Sequence, residues 1–152
     1  MVGILDDAGI TDLLETARFG HLGCYLSGKV YVVPIQFALM DGDLVGHTTE
    51  GTKVNMMRQN PEVCVQFEHI HDLANWTSAI LWGSFEEMHD MEAVRAEQIL
   101  IDRYSPTFQD NPTDDIRGRD FIPPRPGGMI RDRVVYRIRV SSRSGRYERS
   151  DA

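Results

Sequence analysis

YVVPIQFALMDGDLVGHTTEGTK, residues 31–53, is the stretch on which the fold turns. Val30 to Leu39 and Asp43 to Thr48 are β-rich runs, and the Asp41-Gly42 pair between them is a hairpin signal. The second run ends in hydroxyl residues and passes through Gly51 into a short helix reading to Gln59. Asn60-Pro61 closes it, because a proline disfavours helical geometry in the residue before it. Pro34 removes a ladder donor from its strand. That implies an edge, a bulge or a place where a ligand approaches the backbone.

Working outward, Ile10, Leu13, Leu14 and Ala17 recur at helical spacing and predict an amphipathic helix over about 7–19. His21 to Leu26 reads as a strand, and Ser27-Gly28 turns it into the next. Glu62 to His69 and Thr77 to Met88 follow as an antiparallel pair across the polar link Ile70 to Asn75. Met91 to Tyr104, with Met91, Val94, Ile99 and Leu100 apolar, predicts a second long helix. Ser105 to Gly128 holds five of the seven prolines and reads as a long irregular loop. Val134 to Val140 is a sixth strand, and the polar tail from Ser141 is expected to fray. Three strands run consecutively before a helix intervenes, which argues against a parallel sheet. A mainly β fold with flanking helices results, its six antiparallel strands closing into a small barrel or nearly closed sheet that hides its edges.

A chain of 152 residues, 41% apolar, suits one domain spanning 1–152. Sixteen Lys+Arg against 23 Asp+Glu give a net charge of −7, without the basic excess a nucleic acid partner requires. The longest apolar runs fall far short of the roughly 18 residues needed to cross a bilayer. Acids stand where a secretory signal would carry Lys or Arg, so a cytoplasmic location is expected. Cys24 and Cys64 make no CxxC and read as reduced, packed thiols, with a disulfide as the lesser reading.

The segment Gly46 to Lys53 brings Thr48, Thr49, Thr52 and an ammonium to a helix start, where unpaired N–H groups can cradle a phosphate. Lys53 opposes the helix dipole unless an anion sits nearby. The plainer alternative is that Thr49 or Thr52 caps the helix and Lys53 is solvated. Gln36 can hydrogen-bond a planar heterocycle or simply face water from an edge strand. His69, His71 and Asp72 supply only part of a metal shell, so no metal site is expected. No G-x-S-x-G or GxGxxG motif occurs, and Cys24 lies in a strand rather than at a helix start, so no catalytic nucleophile is assigned. Trp76 and Trp82 suit core or interface packing, or stacking on a ring.

Taken in order, the N-terminal helix leading to Phe19-Gly20-His21-Leu22, the strand YVVPIQF, the run GHTTEGTKVNMMRQNPEVCVQFE and the strand NWTSAILWGSFEEM resemble the pyridoxamine 5'-phosphate oxidase-like FMN-binding split-barrel family, especially its nitroimidazole-resistance-type branch. The likeness covers roughly residues 7–90. It implies a six-stranded split β-barrel with FMN between the two subunits of a homodimer. The flavin edge would lie along Val33, Pro34, Ile35 and Gln36, with the phosphate at Thr48, Thr49, Thr52 and Lys53, His47 facing the flavin or its ribityl chain, and Ser78 reaching the cofactor from the later strand. It also implies an oxidoreductase passing hydride from NAD(P)H to a small acceptor. Related split barrels hold haem or a deazaflavin instead, and a dimer that binds flavin or a partner protein without turnover is a further alternative. Oxidases proper for pyridoxamine phosphate carry basic residues at the positions of Tyr31, Gln36 and Thr52, so the resemblance points away from vitamin B6 oxidation. In the 105–128 loop, Arg117, Arg119 and Arg125 are candidates for a substrate-side lid, or for surface pairs with nearby aspartates.

Overall fold

The computed structural model describes residues 1–110 and 133–151. It contains β1 (Val2–Ile4), α1 (Asp7–Thr16), β2 (Gly20–Leu26), β3 (Lys29–Ile35), β4 (Ala38–Met40), β5 (Asp43–Thr49), α2 (Thr52–Gln59), β6 (Glu62–Asp72), β7 (Asn75–Glu87), α3 (Asp90–Asp110) and β8 (Arg133–Glu148). The strands form one antiparallel sheet in the order β3-β2-β6-β7-β8-β5-β4, with β1 added to β8. The sheet is not closed. Among the described residues there are eight strands rather than the six expected, because the 30–39 run breaks at Gln36-Phe37 and because Val2–Ile4 pairs with the end of β8.

The Ser27-Gly28 and Asp41-Gly42 hairpins are built as the sequence demands. Ser27 and Gly28 have φ of 50° and 80°, and Asp41 and Gly42 have φ of 52° and 82°. Two consecutive left-handed residues make the mirror-image turn that matches strand twist, and Gly and Asp tolerate it best. The tail from Ser141 does not fray as expected. It continues β8 to Glu148, with Trp82 opposite Ser142 and Trp76 opposite Glu148, because the long β7 offers backbone partners whatever the side chains. Leu5 N–H donates to Gly145 O (2.9 Å), and Arg143 reaches Asp7 (3.0 Å), so the polar tail is sewn to the N-terminal segment.

Two cores result. Leu22, Phe37, Leu44, Val65, Phe67, Leu81, Tyr136 and Ile138 fill the curl of the sheet, and α1 closes it with Ile10, Leu13 and Leu14. Asp6 caps α1 by accepting from Gly9 N–H at 2.8 Å. The second core lies under α3, where Ala96, Leu100 and Tyr104 meet Ala38, Met40, Val45 and Val135. Here the sequence reading needs two corrections. The helix runs on through Ser105–Asp110, which the proline pattern assigns to a loop, and Met91 and Val94 are exposed at 77% and 59%. The i, i+4, i+8 stripe of Ala96, Leu100 and Tyr104 is the buried one. The remainder of the expected loop, with Arg117, Arg119 and Arg125, lies outside the described residues.

The two ends of the main strand order, β3 and β4, are joined by only Gln36 and Phe37, so Ile35 and Ala38 are at most about 11 Å apart there. Tyr104 holds the crossing. Its hydroxyl accepts from Phe37 N–H at 3.0 Å and lies 3.0 Å from Phe37 O and 3.1 Å from Arg18 O, donating its one proton to either carbonyl. Tyr104→Phe strands the buried Phe37 N–H, so we expect a loss of about 2 kcal/mol, the cost of an unmet buried donor. Urea unfolding of the purified variant measures it, and an unchanged midpoint at constant slope would refute this role for the hydroxyl.

Candidate functional site

The β4–β5 ladder is short. It pairs Ala38 with Val45, Leu39 with Leu44 and Met40 with Asp43, and then stops. Continued backwards, the same register would set Gln36 against His47, Ile35 against Thr48 and Pro34 against Thr49, but β3 turns away to pair only with β2. The barrel is split there. One bank is Val33 to Gln36 and the other is His47 to Thr49, each with a backbone edge that no described strand covers. Pro34, exposed on its edge strand, has no N–H to donate, which discourages a wrongly paired strand.

At the far end the split is bounded by α2, which leaves β5 and packs against β2. Gly51, the residue before the helix, is extended (φ 171°), and no side chain caps the first turn. Neither Thr49 nor Thr52 acts as the cap that the plainer sequence reading allows. The first-turn N–H groups of Thr52, Lys53 and Val54 therefore lack intrahelical carbonyl partners, as at every helix start, and stay available to an anion. Thr48, 3% exposed, spends its hydroxyl weakly on Thr49 O at 3.4 Å. Lys53 is half-buried above β2. Its charge is felt at Cys24: burial pushes that thiol up, the Lys53 ammonium pulls it back, and Cys64 adds a smaller upward push.

Two further polar side chains lie in this region, half-buried Gln36 and buried His47. Gln36 Oε1 has no hydrogen-bond partner, an acceptor held out of water. His47 is 5% exposed, and its Nδ1 lies 3.0 Å from Arg133 Nη2. A guanidinium only donates, so Nδ1 must accept and the neutral ring carries its proton on Nε2. Arg133 is fixed in turn by Glu97 of α3 at 3.1 Å. His47 shares the α3 side of β5 with Val45, whereas Thr48, by strand alternation, points to the other side.

Nine of the ten expected site residues therefore border one feature: Val33, Pro34, Ile35, Gln36, His47, Thr48, Thr49, Thr52 and Lys53. Ser78 does not join them within one chain. It stands on the outer sheet face, three strand spacings or about 14 Å from β3, where Gln66 Nε2 donates to its hydroxyl at 3.0 Å and Gln66 Oε1 lies 3.2 Å from His21. Sequence reasoning missed Arg133, Glu97 and Tyr104. Their partners are 36 to 86 residues away in the chain, and no local spacing marks them. A cleft of about 380 Å³ lies elsewhere, between the end of α1, His21 and His69. No group of three or more His, Cys, Asp or Glu that could hold a metal occurs among the described residues. No helix among them is long and apolar enough to cross a membrane.

Comparison with known proteins gives the same architecture. A family model described as pyridoxamine 5'-phosphate oxidase matches residues 6–147. The structure of an FAD-binding protein from Mesorhizobium loti superposes with a TM-score of 0.76 at 26% identity, covering 99% of this chain and 98% of that one. A candidate 5-nitroimidazole antibiotic resistance protein from Bacteroides thetaiotaomicron gives 0.72 at 23% identity, with 97% and 87% covered. An FAD-binding protein from Mycobacterium smegmatis gives 0.64 at 18% identity, with 96% and 100% covered; at these two identities the likeness is one of fold. Among curated sequences, an uncharacterised protein of Rhizobium meliloti is 28% identical over 87 residues, a match that spans 57% of this chain and only 58% of that protein.

Proposed function

This chain belongs to the pyridoxamine 5'-phosphate oxidase family, and we propose that it is an FMN-binding oxidoreductase that works as a homodimer and passes electrons from NAD(P)H to a small acceptor. The observation that carries the reading is the split itself: an uncapped helix start with Lys53 at one end and the unmet amide oxygen of Gln36 at the other. The residues fit a flavin. Its terminal phosphate is a compact dianion that needs only a few fixed donors, which the α2 N–H groups, the threonine hydroxyls and Lys53 supply. Its ring system has an imide N–H that suits the Gln36 acceptor.

When bound, the flavin supplies hydride-accepting and hydride-donating chemistry. The chain's own part is to bind and orient. The β3 bank offers a flat edge, Arg133 keeps His47 in one tautomer, and Tyr104 fixes the spacing of the two banks. No side chain has to move a proton. A second copy is invited by the outer sheet face, where Tyr25, Val30, Val32 and Trp82 are 50%, 67%, 60% and 42% exposed. Ladder pairing places all four on one surface with Cys64 and Ile80. A partner laid there would bring Ser78 of one copy towards the split of the other.

The FAD-binding relatives favour one second reading, FAD in the same split. The absorption spectrum of the purified protein tests the premise, and mass analysis of the released cofactor separates the two flavins. We expect the two near-ultraviolet and blue flavin bands and an FMN mass, with bleaching on anaerobic addition of NAD(P)H. A sharp Soret band, or a colourless protein that ignores added FMN and FAD, would overturn the reading, and a bound flavin that NAD(P)H leaves oxidised would reduce it to flavin binding alone.

A further inference from the structure

Away from the split, the Arg149 guanidinium is fixed in place with no counter-charge among the described residues. Arg149 follows β8, and its Nη1 donates to Trp76 O at 3.2 Å, to Glu148 O at 3.0 Å and, with Nη2, to Thr77 Oγ1 at 3.4 Å. Its Cζ stands 5.2 Å from the centroid of the Tyr147 ring. All these acceptors are neutral. Among the described residues no carboxylate lies within ion-pair reach of Arg149, whereas Arg58, Arg95, Arg139 and Arg143 each hold one. Arg103 is also held by neutral carbonyls, those of Leu14 and Ala17, but it lies against the Phe37 ring and not in an open cleft.

Arg149 lines a cleft of about 260 Å³ with His69, His71, Asn75, Trp76 and Thr77, and no carboxylate is among its walls. A second cleft towards α1, lined also by Asp12, shares His69, Thr77 and Arg149 with it. Two acids beside the cleft are engaged: Asp72 accepts from Ala74 N–H and the Asn75 amide, and Glu148 accepts from Trp76 Nε1–H at 2.9 Å. Two imidazoles, a hydroxyl and a preorganised guanidinium around one small space are the donor set of an oxyanion site. We infer that the cleft between the β6–β7 turn and the end of β8 binds a small oxyanion, the carboxylate or phosphate monoester of a small molecule. The site is separate from the split and does not depend on the flavin reading.

The test uses the full chain in its isolated form, titrated with inorganic phosphate and with acetate at constant ionic strength, and followed by NMR of the histidine rings and the Trp76 indole N–H. We expect saturable shifts of His69, His71 and Trp76 in the millimolar range. They should weaken about tenfold in Arg149→Ala, as for loss of one charged donor, and stay intact in Lys53→Ala. Response to phosphate alone assigns a phosphate ester; response to both admits carboxylates. Should Arg149→Ala fail to fold, the exposed His71→Ala carries the same expectation at smaller size. Shifts that never saturate, or saturable binding that neither variant weakens, would overturn the site.

Discussion

Gly83→Ala should cost about 3 kcal/mol or more and leave little folded protein at elevated temperature, since overpacking a close-packed interior costs about 1–3 kcal/mol even where side chains can yield. Here backbone must yield. A Cβ at Gly83 would sit 2.2 Å from Arg139 O and 2.9 Å from both Arg139 C and Ile138 Cγ2. The position falls where the β7–β8 register shifts between Trp82 and Gly83, so the glycine lets two backbones approach inside a bulge. Relief would require β8 to move off β7, and β8 also pairs with β1 and β5. Gly28→Ala is the control. It meets nothing within 4 Å and carries only the left-handed penalty of about 1–2 kcal/mol. Thermal melts of the two variants beside the parent decide it. A Gly83→Ala melt at or above that of Gly28→Ala would show that the described approach of β7 and β8 is wrong.

Lys53→Ala should weaken flavin binding about ten- to a hundredfold, from the roughly 1.5–3 kcal/mol that a hydrogen bond to a charged group contributes, while leaving the melt of the flavin-free protein nearly unchanged. The ammonium is the cation at the start of α2, in a first turn that holds no acid. Removing it takes away attraction for a phosphate dianion but uncovers no part of the core, because Val54, Met56 and Met57 bury the helix. Lys53→Arg should recover most of the loss, and the difference between the parent and Lys53→Ala should shrink as salt is raised. Quenching of flavin fluorescence on titration measures all three. Equal affinities for parent and Lys53→Ala would remove the phosphate from this corner.

The strands around residues 20–50 were legible because their turns are chemically unambiguous: a glycine at a left-handed position and a two-residue link leave a hairpin little choice. The polar half of β8 was not legible. Its partner is β7, and a strand whose outer side chains are Ser142, Ser144 and Arg146 looks like a tail until the backbone beside it is known. The break at Gln36-Phe37 was hidden for a related reason. Val30 to Leu39 is one hydrophobic run in sequence, and only Tyr104, 67 residues away, makes it worth splitting. The residues of the split were readable as types at a spacing. The lock on His47 was not, since Arg133 lies 86 residues distant, beyond any helical or strand period.

The place of β8 bears on how the chain comes to be folded. β8, made after the other seven described strands, lies between β7 and β5 and also pairs with β1, whose Val2 meets Glu148. Its neighbours must wait for it, so a nascent chain holding everything up to α3 presents the open flanks of β5 and β7 to its surroundings. Such distant pairing makes for slow folding and a window for aggregation during synthesis. The short reach of β4 and the proline in β3 leave the permanent edges of the finished sheet poor templates for strand addition.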